Sequence, residues 1–250
     1  MNNKKIAIIA IAAIALIITS LGAVSAFELF GMNLFGPTTD FDTKFMTGTF
    51  NGDVIQQKVE DNSSAREWMA SFEDPEHNIT YNMSCVKDGD FITDVYQLQG
   101  LQAPEVRNYN NQPWKIFFSQ AVPDSNVTDN KTADNSTNNT VNVYICEADV
   151  NGTAYTINVI AYDNKTECDG TLFCPLYKDY IGPLIESIQF KDAKKAPKMA
   201  DLMGMSDEEF KFNREYIDGI FNGTIDPSQG EWNKIYKYGR IDLFCYFFFF

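Results

Sequence analysis

The chain of 250 residues has a single histidine and five cysteines, and no two cysteines form a C-x-x-C pair. One histidine cannot build a His-rich zinc site, and the cysteine spacings do not favour a thiolate site either. Reaction motifs are missing as well: the sequence has no G-x-S-x-G elbow, P-loop, H-E-x-x-H or G-x-G-x-x-G. We therefore expect no catalytic residue, no metal and no cofactor, and we interpret His77, in the turn EDPEHN, as an exposed loop residue.

Basic residues are scarce, with 20 Lys and Arg against 34 Asp and Glu and a formal charge of −14. An acidic surface repels the phosphate backbone, so nucleic-acid binding is excluded. The only basic cluster, Lys191–Lys198, is thin beside this acidic body, and we interpret it as a linker.

Long apolar runs are limited to one stretch, Ile6–Phe27, which has no charged residue and directly follows Lys4 and Lys5. As a helix it would extend roughly 33 Å, enough to cross a bilayer core. Small residues at Val24-Ser25-Ala26 suit cleavage of a signal peptide, whereas the length of the run suits an uncleaved anchor. Both readings send Glu28 onward outside the cell. The predicted location is extracellular or cell-surface, with the membrane, cell-wall or surface proteins as partners.

Export makes disulfides the favoured state of the cysteines. The short loop between Cys168 and Cys174 permits a bridge, and Cys85 and Cys146 each lie near the end of a predicted strand. We expect Cys168–Cys174 and Cys85–Cys146, although the sequence leaves the other pairings open. Cys245 would then remain as the odd thiol.

The motif N-x-[ST], the acceptor of N-linked glycans, recurs along the chain. The candidate sites are Asn62, Asn78, Asn82, Asn126, Asn130, Asn135, Asn138, Asn151, Asn164 and Asn222. Four of them fall within one polar stretch, and the alternative interpretation is an Asn- and Thr-rich polar surface without glycans. We expect glycosylation in a cell that attaches such glycans.

Strand patterns dominate the middle of the chain. Asn78–Val86 alternates, with Ile79, Tyr81, Met83 and Cys85 on one face and Asn78, Thr80, Asn82 and Ser84 on the other. Turn signals at Asn51-Gly52, Asp88-Gly89 and Asn151-Gly152 predict three hairpins. Their strands lie within Phe41–Lys58, Asn78–Leu98 and Val141–Asp163, and Trp114–Val122 adds another strand after a loop at Gln99–Pro113.

Helical patterns are fewer. Ser64–Phe72 and Ser206–Phe221 each begin with capping-box spacing, and Pro175–Phe190 has apolar residues near helical spacing, interrupted at Gly182-Pro183. Met199–Met203 predicts one short turn of helix that Gly204 ends.

The predicted fold is α+β: a single antiparallel sheet of about six or seven strands with packed helices. The expected divisions are a signal peptide or anchor at 1–26, a linker at 27–40, the α+β domain at 41–190, a helical appendage at 191–222 and a tail at 223–250. A polar insertion at 123–140 has too little apolar content to bury, so we expect it to be disordered.

Two segments carry a resemblance: YTINVIAY at Tyr155–Tyr162 and LIESIQFK at Leu184–Lys191. With the apolar leader and the acidic body, they resemble uncharacterised exported proteins of methanogenic archaea. The final strand-and-helix step is also similar to PsbP/Mog1-type α/β/α domains, over about Phe45–Lys191. That resemblance implies a non-catalytic accessory or binding role and transfers no site residue.

The sequence thus favours an exported, glycosylated cell-surface or envelope protein with a binding or structural role. One alternative is an accessory subunit that docks on a membrane complex through the Ser206–Phe221 helix or the aromatic tail LFCYFFFF. Another is a wall-polymer hydrolase that uses paired carboxylates, which would require two facing carboxyl groups with shifted pKa values.

Overall fold

A computed structural model describes residues 28–29, 32–33, 37–58, 64–98, 102–121, 140–162 and 168–226. The predicted leader, nearly all of the polar insertion and the aromatic tail lie outside the described residues. The predicted linker at 27–40 contains two short strands, β1 (Glu28–Leu29) and β2 (Met32–Asn33), which pair with each other in antiparallel fashion.

The main element is a seven-stranded sheet in which all neighbouring strands are antiparallel. Its strands, from one edge to the other, are β5 (Ile55–Gln57), β6 (Met69–Asp74), β7 (Ile79–Lys87), β11 (Thr153–Tyr162), β10 (Val141–Val150), β9 (Gln112–Ala121) and β8 (Glu105–Tyr109). The predicted antiparallel sheet of about six or seven strands is therefore present, with seven strands.

The alternation predicted for β7 is confirmed, because Ile79, Tyr81, Met83 and Cys85 are all at most 1% exposed on one face. The predicted hairpin between β10 and β11 is confirmed too. Asn151 and Gly152 have φ of 54° and 76°, as a two-residue turn with positive φ requires, and Val150 pairs with Thr153 across it.

A second, three-stranded antiparallel sheet corrects the prediction of a single sheet. It contains β3 (Thr38–Asp42), β4 (Met46–Asn51) and β12 (Gln189–Phe190), with β4 in the centre. The predicted hairpin at Asn51-Gly52 is wrong, because β4 pairs with β3 and β12 while β5 pairs with β6. Gly52, with φ of 107°, instead turns the chain from one sheet to the other.

Aromatic rings join the two sheets. The ring of Phe50 lies 4.8 Å from the rings of Phe41 and Tyr81 and 5.0 Å from that of Phe72, centroid to centroid. These rings belong to both sheets and form one buried cluster, which also includes apolar residues of the helical segment before β12. Because large aromatic side chains bury more apolar area than any others, this cluster is the main core.

That helical segment changes character where its sequence predicted an interruption. It is π-helical over Tyr177–Ile181 and continues as α2 over Gly182–Ser187. Proline has no N–H to donate, so a wider turn just before Pro183 accommodates it without ending the helix.

The opposite face of the large sheet carries a layer of helices: α1 (Asp90–Leu98), α3 (Met199–Met203) and α4 (Asp207–Phe221). A second apolar cluster joins them to the sheet and contains Val86, Phe91, Met199, Ala200, Met205, Phe210 and Ile217. The predicted signals are confirmed: Ser206 and Glu209 form both bonds of a capping box, and Gly204 ends α3 with φ of 65°.

Helix α1 replaces the strand predicted at Phe91–Leu98. The β-branched residues Ile92, Thr93 and Val95 favour a strand, but Phe91, Val95 and Leu98 also repeat at helical spacing. Packing decides between these patterns, since Phe91 fits between the sheet and α4 and its ring lies 5.0 Å from that of Phe210.

Two further predictions need correction. Ser64–Phe72 is not one helix: a 3₁₀ turn at Ser64–Trp68 leads into β6, and Phe72 lies in that strand. The predicted loop at Gln99–Pro113 contains β8, which turns into β9 through Asn110 and Asn111, both with positive φ. Asn-Asn is a weaker turn signal than Asn-Gly, so the sequence did not predict this hairpin.

Candidate functional site

The structure joins Cys168 and Cys174, as the sequence predicted, in a disulfide whose Cα atoms are 5.1 Å apart. The bridge closes a short loop that packs on the large sheet. Tyr144 of β10 donates a hydrogen bond from its hydroxyl to the carbonyl of Leu172, 2.8 Å away, and the same oxygen lies 3.4 Å from Sγ of Cys174. The disulfide therefore fixes the entry of the helical segment against the core.

The predicted Cys85–Cys146 bridge is wrong, because both residues are free, buried thiols. Cys85 pairs with Tyr155 and Cys146 with Ile157, on opposite sides of β11. Strands two positions apart are separated by roughly 9.5 Å, and a disulfide cannot form when the Cα atoms are more than about 7 Å apart. The sequence pattern placed each cysteine in a strand but could not give the strand order.

Burial also makes both thiols unreactive. It raises the pKa of Cys85 to about 12 and strongly raises the pKa of Cys146, so little thiolate forms near neutral pH. We assign both residues to the core.

His77 is partly buried and paired, which corrects the prediction of an exposed loop residue. Its Nδ1 lies 2.8 Å from Oδ2 of Asp74, a side chain with no exposed surface. Oδ1 of Asp74 also accepts hydrogen bonds from the backbone N–H groups of Glu76 and His77, at 3.0 and 3.1 Å. A turn in which an aspartate precedes a proline was the available signal, since aspartate side chains often accept bonds from N–H groups a few residues later.

Two neighbours complete this turn. The ring of Tyr180 lies 4.9 Å from that of His77, and Gly52 leaves space for Asp74, because a Cβ on Gly52 would be 2.8 Å from Oδ2. The carboxylate beside Nδ1 orients the imidazole, with the Nδ1–H group as the donor of this contact. Among the described residues, the contacts of His77 are to Asp74 and Tyr180, and neither is the serine or cysteine of a nucleophilic triad.

A second polar cluster lies between the large sheet and the helices α1 and α4. Glu147 of β10 has a side chain only 1% exposed, although it carries a carboxyl group. Its Oε1 is 3.4 Å from Nζ of Lys115 on β9 and 3.4 Å from the hydroxyl of Thr93 on α1. Burial raises the pKa of Glu147 to about 6, and Lys115 opposes this rise.

The pKa values of the two neighbouring carboxyl groups, Asp94 and Asp90, are shifted in opposite directions. Burial raises the pKa of Asp94 on α1. It also acts to raise the pKa of Asp90, but Arg214 of α4 forms a two-pronged ion pair with Asp90, with one bond of 2.8 Å, and the pKa is lowered overall. Sequence reasoning missed this cluster, because charged residues on a strand face usually indicate solvent.

Four of the ten candidate glycosylation sites lie within the described residues. Asn78, Asn151 and Asn222 are exposed at turns. Asn82 is partly buried on the helix-covered face, and its Oδ1 accepts a hydrogen bond from the Ser71 hydroxyl at 2.8 Å. Asn62, Asn126, Asn130, Asn135, Asn138 and Asn164 lie outside the described residues.

A shallow groove of about 320 Å³ lies beside the end of β5 and the start of β6. It is lined by Gln56, Gln57, Lys58, Arg66, Met69 and Ala70. Its lining includes two amides and two cations, and Nε2 of Gln57 donates a hydrogen bond to Oε2 of Glu73, 2.8 Å away, so the groove is polar.

No protein-family model matches the sequence, and no curated protein matches it. Solved structures that are similar to it include a crystal structure from Bacteroides thetaiotaomicron, with 7% identity and a TM-score of 0.39 over 64% of this chain and 50% of that one. The solution structure of the cyanobacterial PsbP protein (CyanoP) of Synechocystis has 12% identity and a TM-score of 0.38, over 69% of this chain and 99% of that one.

This chain spans about half the length of the Bacteroides protein. A PsbP protein is thus among the structures that this chain resembles, at a similarity too low to transfer a function. The resemblance to exported archaeal proteins stays a prediction.

Neither a bilayer-crossing helix nor a cluster of metal ligands is present in the described part of the chain. No helix there has the length and hydrophobicity that a bilayer crossing demands. Within the same residues, no three side chains of His, Cys, Asp or Glu come together as metal ligands would.

Proposed function

We propose that this chain is an exported, N-glycosylated cell-surface or envelope protein with a non-catalytic binding or structural role. The Cys168–Cys174 disulfide is the observation that supports it most. Disulfides persist in oxidising compartments and are rare in the cytosol, where thiols are kept reduced. The apolar run Ile6–Phe27 behind two lysines is the matching export signal in the sequence.

The exposed sequons support the glycan part of the proposal. Asn78 and Asn151 have positive φ at the tips of tight turns, and Asn222 follows the last turn of α4. A glycan at any of these positions would extend into solvent without displacing a packed side chain.

For the binding role, the groove beside β5 is the described concave surface that we favour. Its lysine and arginine would select an anionic or polyhydroxylated ligand over a cationic one. The alternative of a wall-polymer hydrolase is less favoured. Glycosidase carboxyl groups flank a cleft that admits the sugar, whereas Glu147 is covered by α1 and its bonded partners.

Peptide mapping without reduction and intact-mass measurement of the native protein test this proposal. We expect a Cys168–Cys174 cross-linked peptide, a mass above that of the bare chain, and loss of one glycan mass in Asn151→Gln. Asn110→Gln is the matched control, since Asn110 is also exposed with positive φ in a tight turn but starts no sequon. Reduced cysteines together with a bare-chain mass in the native host would overturn the proposal.

A docking role as an accessory subunit is the second candidate, because α4 exposes two large apolar side chains. Phe212 is 45% and Phe221 48% exposed, whereas Phe210 and Ile217 on the same helix are buried. If a membrane partner binds there, Phe212→Ser should abolish its stoichiometric co-purification, and Lys211→Ser on the same exposed side should not. Equal recovery of the partner with both variants would argue against docking through α4.

A further inference from the structure

The helices α1 and α4 rest on a sheet face that contains one deeply buried carboxyl group. Glu147 lies in the second half of β10, paired with Thr156 of β11 on one side and Lys115 of β9 on the other. α1 crosses above it with Thr93, and α4 is joined to α1 by the Arg214–Asp90 ion pair. This helical layer therefore covers the Glu147 carboxyl, and the partly exposed side chain of Lys115 connects the carboxyl to the surface.

The hydrogen bonds around Glu147 suit its ionised form poorly. The Thr93 hydroxyl has one proton and lies 2.8 Å from the carbonyl of Asp90, against 3.4 Å from Oε1 of Glu147. Lys115 also stays at 3.4 Å, beyond the usual range for a charge-assisted bond. A protonated Glu147 could instead donate its proton to the Thr93 hydroxyl oxygen, which is free to accept while it donates to the carbonyl of Asp90.

The charged groups that face Glu147 come from three elements. Lys115 on β9 favours the ionised carboxyl, whereas Asp90 on α1 opposes it. Asp94 on α1 also has a raised pKa, and it interacts with Lys115 and Arg214 as well as with Asp218 of α4. The pair Arg214–Asp90 neutralises itself to a large extent, so Lys115 is the main cation available to Glu147.

We propose that Glu147 is a proton-operated latch: its protonation holds α1 on the sheet in mildly acidic surroundings, and its ionisation near neutral pH loosens α1 for local opening. The latch is independent of whether the protein is exported. It concerns how the helical layer opens, which the proposed binding role does not address.

The direction in which pH changes the stability of the closed state follows from proton linkage. The pKa of Glu147 is about 6 in the closed structure and 4.5 for a solvated glutamate, so the closed state binds the proton more tightly. Stability from this group is fully present below pH 4.5 and is lost as the pH rises through about 6. The difference between these two pKa values limits the change in the opening equilibrium to about 30-fold.

Hydrogen exchange of the full-length chain, measured as protection factors at pH 4.5 and pH 7.5, tests the latch. Between these values we expect amides of Asp90–Leu98 to lose protection by at least about tenfold in the wild type. Glu147→Gln keeps the shape and the hydrogen-bonding capacity of the neutral acid, so it should remove most of this loss. Glu186→Gln, at an exposed carboxyl group on α2, is the matched control and should leave the loss unchanged.

Lys115→Met provides a second test if Glu147→Gln does not fold. Without the lysine, the ionised carboxyl loses its cation, so the midpoint of the change in protection should move to higher pH. Protection of α1 that does not fall between pH 4.5 and 7.5, or that falls equally in Glu147→Gln, would overturn the proposal. An unchanged midpoint in Lys115→Met would do the same.

Discussion

The disulfide gives the sharpest prediction about stability. In the chain-entropy model, a bridge with a sequence separation of 6 restricts the unfolded chain by about 2 kcal/mol. For a domain of this size, that corresponds to a decrease in Tm of about 4–8 °C on reduction. Thermal unfolding of the full-length protein, followed by circular dichroism with and without a reductant, measures the difference directly.

Matched variants distinguish the effect of the bridge on the Tm from the effect of the two free cysteines. Cys168→Ser with Cys174→Ser should abolish the effect of the reductant, because no bond remains to be reduced. Cys85→Ala with Cys146→Ala should lower the Tm by removing buried side chains, yet leave the reductant effect intact, since both are free thiols. If the reductant effect disappears in the second pair instead, the assignment of the bridge is wrong.

Three further substitutions test packing, capping and backbone conformation. Phe50→Ala should lower the free energy of unfolding, measured in urea, by about 3–5 kcal/mol, because three aromatic rings surround Phe50. Phe212→Ala, at an exposed position, should lower it far less. Ser206→Ala should cost about 1 kcal/mol and reduce hydrogen-exchange protection mainly in the first turn of α4. Gly52→Ala should destabilise more than Gly152→Ala in the same unfolding assay: both have positive φ, but only at Gly52 would the new Cβ meet a buried carboxylate. Equal costs in either matched pair would contradict the reasoning.

The features that the sequence predicted well depend on neighbours close in the chain. The alternation of Ile79, Tyr81, Met83 and Cys85 marks one buried face. Asn151-Gly152 places two residues with positive φ between two apolar runs, and the spacing from Ser206 to Glu209 specifies both bonds of a capping box. In each case the interacting groups are separated by a few residues, so the pattern itself contains the geometry.

The predictions that failed depend on which segments meet. Asn51-Gly52 has the same local signal as Asn151-Gly152, but the strand after it pairs with β6 and not with β4. Cys85 and Cys146 lie in predicted strands, and only the strand order shows that β11 separates them. Strand pairing at long range depends on the packing of the whole core, which a local pattern does not encode.

Glu147 shows how such long-range packing raises the pKa of a side chain. On β10, Val143 and Ile145 precede Glu147 on one face, while Tyr144 and Cys146 lie on the other. Apolar residues on both faces are typical of a strand covered on both sides, so a carboxyl group at 147 would be expected to meet a second layer. Which layer covers it could not be predicted, because α1 itself resembled a strand. Once α1 and α4 close over this face, the same residue that looks like surface charge in the sequence becomes a buried acid. Because burial under these helices disfavours the ionised carboxyl, ionisation of Glu147 in turn disfavours the docking of the helices that cover it.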